Sequence, residues 1–171
     1  MSYLRFFGTI AVSTVVMFAM MYLNTYALDH VWFSQTRAWM ALYMGGGMAV
    51  VMLAAMWSMF PSAGKSVAAL AVAVLVFALG LFMVRSQATV DQISWMKAMI
   101  PHHSIAIMTS ERAHIKDPRV RELADKIIEA QVKEIGEMKA LITDLEAKPP
   151  ADNAPDLQSY RKRGAPPPPL Q

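Results

Sequence analysis

The sequence predicts an all-α protein: three transmembrane helices, then an antiparallel helical hairpin, then a proline-rich tail. Three observations predict it. Residues 1–85 hold three long apolar stretches without internal charge. Residues 86–147 turn amphipathic, with an Asp-Pro pair between two helical patterns. Residues 148–171 contain "KPPADNAP" and "GAPPPPLQ".

The apolar stretches run from about 6 to 28, 38 to 60 and 66 to 84, each near the roughly 20 residues a helix needs to cross a bilayer. The first is too long for the apolar core of a signal peptide and reads as an anchor. Pro61 is expected to end the second. Arg5 and Lys65 would lie on one side of the membrane, Arg37 and Arg85 on the other. Three spans put the chain ends on opposite faces. An exported C-terminal half is expected, because a cysteine-free site built from methionine and histidine suits an oxidising compartment.

Composition narrows the chemistry. With no cysteine, disulfides, thiolate metal sites and thiol nucleophiles are excluded. The net charge of +3 is no nucleic-acid signature: from Arg85 to Lys148 acids and bases number ten each, and no basic, aromatic stripe follows. No Ser-His-Asp set, phosphate loop or nucleotide fingerprint occurs, so no enzyme activity is expected.

In the hairpin, Thr89 and Gln92 have capping-box spacing, which places a helix from near Val90 to about Ile115. Asp117-Pro118 is an N-cap acid followed by proline at the first helical position. The second helix should reach about Ala147, with an apolar stripe of Ala124, Ile128, Ile135, Met138, Ile142 and Leu145 interrupted by Gln131. The tail is expected to be disordered, with polyproline II character.

The chemistry gathers in "SWMKAMIPHHSIAIM", residues 94–108. Met96, Met99, His103, Ser110 and His114 share a helix face. His102 is rotated about 100° from His103. Pro101 removes a donor and crowds the turn before it, and the bend is expected to bring His102 and Met108 toward a common point with the others. A short turn makes the helices antiparallel, in a register setting Met99 against Glu134, His102 against Gln131, and Met138 beside Met96. Thioethers select monovalent copper and imidazole accepts several transition metals; Cu(I) is favoured and Cu(II) possible. Packing explains Met96 or Met99 taken singly, but adjacent histidines after a proline are harder to place in a core, since buried imidazoles need partners. His30 lies on the same membrane side and could contribute; His114 reads as a surface residue.

"MIPHHSIAIM" followed by "ELADKIIEAQVKEIGEMKALI" resembles the family catalogued as domain of unknown function 305, over about residues 88–146. The shared motif falls on Met99, His102, His103, Met108, Gln131, Glu134 and Met138. The resemblance implies a ferritin-like helical domain in a bacterial protein, with copper binding or tolerance as its role. The three-span part is similar to membrane-anchored members. Ala98 stands where many relatives have a second methionine, and Met96 lies one turn away as a substitute.

Together these readings give Met99, His102, His103 and Met108 as first-choice ligands, Met96 and Met138 next, and Gln131 and Glu134 as residues orienting the imidazoles. The expected protein buffers or delivers copper from a bacterial inner membrane, its C-terminal domain periplasmic. Its partners would be the bilayer, the copper ion and a second copy completing a four-helix bundle; packing of the hairpin on the membrane spans is the alternative to that dimer. Two rival functions stand beside it. One is a helical adaptor that uses the same face only to oligomerise. The other is a di-iron oxidase built on Glu111, His114 and Glu122, in the Glu-x-x-His spacing of di-iron bundles. Met40, Met44, Met48, Met52 and Met56, four residues apart, read as a packing ridge winding round the second span, with a copper(I) ladder as the sharper alternative. Gly45, Gly46 and Gly47 allow close helix approach.

Overall fold

The computed structural model describes residues 2–151 and 153–159. Among them, regular structure is wholly helical: α1 (Tyr3–Met20), α2 (Gln35–Ala55), α3 (Ala63–Ser86), α4 (Gln92–Arg112) and α5 (Pro118–Ala147), with single 3-10 turns at Leu28–His30 and Trp57–Met59. α1, α2 and α3 are each long and apolar enough to cross a membrane.

Side-chain caps set the helix starts. Ser34 accepts from the Arg37 amide and Ser62 from the Lys65 amide, so α2 and α3 each begin three residues before the expected position. α1 stops at Met20 rather than near Leu28. The apolar run gives way there to Asn24, Thr25 and Asp29, and the Thr25 hydroxyl closes a turn onto the Tyr22 carbonyl at 2.9 Å. α2 ends at Ala55 and a 3-10 turn precedes Phe60, so the helix stops well before Pro61. α3 ends at Gln87 with φ 53°, the left-handed region. Its side-chain Nε2 donates to the Val84 carbonyl at 2.6 Å, occupying a carbonyl the helix end leaves free.

α2 is the central one of the three apolar helices, packed on α1 and on α3. Glycine makes the second contact possible: a Cβ on Gly46 would stand 2.7 Å from the Phe77 amide nitrogen, and one on Gly80 2.8 Å from that of Tyr43. Phe6, Ile10, Ala49, Leu53, Phe60, Ala69 and Ala73 form the core of this part. Met48, Met52 and Met56 pack against it, Met44 is exposed, and Met40 lines a cavity described below. The ridge therefore winds round the helix.

The hairpin differs from expectation at its start. Asp91, not Thr89, caps α4, accepting from the Ser94 amide at 2.6 Å. Thr89 is engaged elsewhere: its hydroxyl accepts from Gln35 Nε2 and Trp39 Nε1, both at 3.2 Å, tying the linker to α2. α4 ends at Arg112, three residues short of Ile115, and runs through the buried Pro101 without interruption. α5 begins as expected, with Asp117 capping and Pro118 at its first turn. Met96, Ile100 and Ile107 of α4 bury against Ile135, Met138 and Ile142 of α5.

The hairpin is not left as two bare helices. The loop before α2 docks onto it: the Tyr26 amide donates to Ser104 Oγ at 2.7 Å, His30 Nδ1 lies 3.0 Å from the same oxygen, and Lys139 Nζ is 2.6 Å from Asp29 Oδ2. Trp32 packs on the hairpin core. Beyond Ala147 the described residues form no helix or strand. Asp152 and residues 160–171, most of the expected disordered tail, lie outside the described residues.

Candidate functional site

α4 carries the candidate donors on two faces. The first looks toward α5. His103 Nδ1 stands 3.1 Å from Glu134 Oε2, its side chain 12 % exposed. The two atoms are close but misaligned, so the buried Nδ1 makes no hydrogen bond. A carboxylate so near favours the proton on Nδ1, which leaves the Nε2 lone pair free to bind a metal. Gln131 Nε2 donates to the same Glu134 oxygen at 3.2 Å. Glu134 is thus the residue set on an imidazole, and Gln131 acts one step behind it. The register differs from the expected one by about a turn: Glu134 meets His103 rather than Met99.

Burial lowers the His103 pKa below its ordinary value; Glu134 opposes the shift and His102 adds to it. His30 is lowered too, chiefly by burial, against the pull of Asp29. Both rings are held neutral at pH 7, the form a metal requires.

The second face looks toward the membrane helices. Met99 and His102 line an open cavity of about 500 Å³ together with Met21 from the end of α1 and Met40 and Arg37 from α2. Sequence reasoning placed Met40 in a packing ridge and gave Met21 and Arg37 no part in the site. Nothing local in the sequence shows that α4 folds back over the ends of α1 and α2.

The two histidines are neighbours without sharing a direction: ring centroids lie 6.0 Å apart, tilted by 58°. A bound metal stands roughly 3 Å from an imidazole centre, given a metal–nitrogen bond of about 2 Å. An ion touching both rings at this separation must lie almost in line between them. The proline therefore does not gather all the donors at one point. Met96 and Met138 are 4 % and 6 % exposed within the isoleucine core, where their thioethers pack. Met108 is half-buried and belongs neither to that core nor to the cavity lining.

Among the described residues no three His, Asp or Glu side chains cluster as a metal site. Glu111 lies beside the Tyr26 hydroxyl, Glu122 pairs with Lys126 at 2.7 Å, and His114 is exposed at the end of the hairpin. Among the described residues the carboxylates of Glu111 and Glu122 do not assemble into such a centre. What α4 offers instead is a set of thioethers and imidazoles.

These features define a class: an all-helical protein in which a hairpin bearing His and Met packs, through α4, on the second of three helices able to span a membrane. The profile of the DUF305 family, described as a domain of unknown function, matches residues 91–166, starting on the residue that caps α4. The uncharacterized protein L153 of Acanthamoeba polyphaga mimivirus is 33 % identical over 108 residues, covering 62 % of this chain and 69 % of that protein. The chain belongs to the DUF305 family. No solved structure matches it.

Proposed function

We propose that this is a membrane-anchored copper-binding protein that buffers or delivers Cu(I) outside the cytoplasm. The observation that carries the reading is the donor set of the interhelical cavity, whose walls hold Met99 and His102 together with Met21 and Met40. Thioether and neutral imidazole together favour a soft monovalent ion over oxygen-seeking cations. His103, with Glu134 3.1 Å from its Nδ1, offers a second imidazole on the other face of α4. Met108 is the remaining candidate ligand. Met96 and Met138 contribute packing in this reading. A bacterial inner membrane with the hairpin on the periplasmic side fits a site without thiols.

Copper here is cargo, and the site's position matters to its use. Met40 opens the ridge on α2, so an ion held at Met99 and His102 would sit at the membrane end of the hairpin.

The test uses the full chain in detergent, with Cu(I) affinity measured by competition against a chromophoric chelator. The double variant Met99→Ala, His102→Ala should lose more than about tenfold in affinity, equivalent to roughly 1.4 kcal/mol. Met96→Leu and Met138→Leu should bind as the parent does. A parent that retains neither Cu(I) nor Ag(I) ends the proposal, and equal losses in both sets of variants end the choice of ligands.

A second reading has its own observation. α5 leaves Val120, Leu123 and Ile127 exposed on its first turns by 49 %, 58 % and 37 %. A homodimer closing on this stripe would make the protein an assembly module. In that case His102→Ala with His103→Ala would leave the oligomeric state untouched, while Leu123→Glu would dissociate it.

A further inference from the structure

Arg37 is 8 % exposed, although it lies in the first turn of a helix able to span a membrane. One guanidinium nitrogen donates to the Met21 carbonyl, and the group stacks 4.6 Å from the centre of the Tyr22 ring. No carboxylate pairs with it: the ion pairs of the described residues involve other cations. The sequence explains why. Asp29 is the only acidic residue before Asp91, and Asp29 is taken by Lys139. Arg5 and Arg85, the other arginines flanking these helices, are exposed and can reach water or headgroups by extending outward.

A guanidinium has five N–H donors in a planar fork. A carbonyl and an aromatic face satisfy only part of it, and burying the charge without an anion is costly. Arg37 is among the residues that line the 500 Å³ cavity between α1, α2 and α4. The walls have two characters. Asn24, Thr36 and Gln87 are polar, while Met40, Trp95 and Ile105 are apolar. The cavity lies where α1 ends, α2 begins and α3 ends, as the Thr36 to Gln87 and Gln35 to Thr89 hydrogen bonds show. If α1–α3 cross a bilayer, that level is the headgroup layer.

We propose that this cavity binds the phosphate headgroup of an anionic membrane lipid, with Arg37 as its counter-charge. The planar fork matches a phosphate in two-point contact. The apolar wall receives the start of the acyl chains, which continue into the bilayer alongside the spans. A phosphate diester from a lipid and free inorganic phosphate share the charged chemistry, but only the lipid uses the apolar wall. The proposal rests on the membrane reading of α1–α3; it uses the cavity that the copper reading also uses, with the phosphate at Arg37 of α2 and the donors Met99 and His102 on the α4 wall.

The test reconstitutes the full chain in nanodiscs of phosphatidylcholine with a minority of phosphatidylglycerol, then measures retained lipid by native mass spectrometry. The parent should enrich phosphatidylglycerol roughly five- to tenfold, the scale of one basic residue against an anionic lipid. Arg37→Gln should abolish the enrichment and Arg85→Gln should preserve it. Because Arg37 also holds the Met21 carbonyl, a second variant keeps that bond: Ala98→Trp fills the cavity from α4 and should also abolish enrichment. Equal retention of both lipids by the parent overturns the proposal. So does inorganic phosphate binding that depends on Arg37 without any lipid preference. If alkaline extraction releases the chain from membranes, the membrane reading fails and takes this inference with it; an integral chain without lipid preference sinks this inference alone.

Discussion

The two faces of α4 bury different things for different reasons. Toward α5, Met96, Ile100 and Ile107 close against Ile135, Met138 and Ile142, and each is nearly inaccessible. Toward the membrane helices, Ala98, Met99, His102 and Ile105 border an open cavity. The same residue type serves both. Met96 is a filler in a core of isoleucines, where an unbranched thioether adapts to irregular space. Met99 packs on the edge of that core and also lines the cavity. What separates a packing methionine from a candidate ligand is the other helix it meets, which a single-helix pattern does not record.

The largest effect should come from breaking the closed face. Ile100 is fully buried, and Ile100→Ala should destabilise the hairpin by about 2–5 kcal/mol. Hydrogen exchange of the α4 and α5 amides in the intact protein would read the loss locally, and α2 amides should change far less. A loss below about 1 kcal/mol would mean that the face collapses around the gap, and the contrast with the open cavity would shrink.

Much of this arrangement was legible in the sequence, and the failures share a cause. The three apolar helices, the Asp117-Pro118 start of α5 and its apolar stripe follow from composition and spacing, which are local signals. Glu134 was expected to orient an imidazole; its carboxylate lies 3.1 Å from His103 Nδ1 without a hydrogen bond between them. The misses all depend on parts of the chain far apart in sequence. Thr89 fits a cap locally but serves as an acceptor for α2. Ser104 reads as an unremarkable polar residue in α4, yet it is fully buried and holds the loop through Tyr26 and His30. The gathering of Met21 and Met40 with Met99 and His102 requires knowing that α4 lies over the ends of α1 and α2. For Arg37 a signal did exist: a lone cation at the start of a span in a segment almost without acids.

A smaller effect should sharpen the electrostatic side of the comparison. Burial depresses the His103 and His30 pKa values in the folded protein, while the unfolded chain takes up protons near the ordinary value of about 6.5. The unfolded state therefore binds more protons in the window below that value, so stability is full above about pH 6.5 and declines as pH falls through it toward the lowered folded values. Unfolding of the hairpin followed from pH 7.5 down to 5 should show this decline, and His103→Gln should flatten part of it. Copper(I) affinity should fall in the same direction but at lower pH than for a free imidazole, since burial delays protonation of the His103 ring. An affinity independent of pH across that range would remove His103 from the ligand set.

The smallest effect should come from the bridge between the two regions. Lys139 and Asp29 join α5 to the loop before α2 at 2.6 Å, but Asp29 is 68 % exposed. Such a pair is screened by solvent and salt and contributes about 0–1 kcal/mol. Asp29→Asn should therefore leave docking nearly intact, because the buried Ser104 contacts and the packing of Trp32 still hold the loop. Exchange at the Tyr26 amide measures this directly, since that hydrogen lies in the bond to Ser104. Faster exchange in Asp29→Asn, relieved in the parent's favour at low salt, would shift the weight of docking from the buried serine to the surface charge. Unchanged exchange assigns it to the serine and to the tryptophan, and fixes the cavity's outer wall by packing rather than by charge.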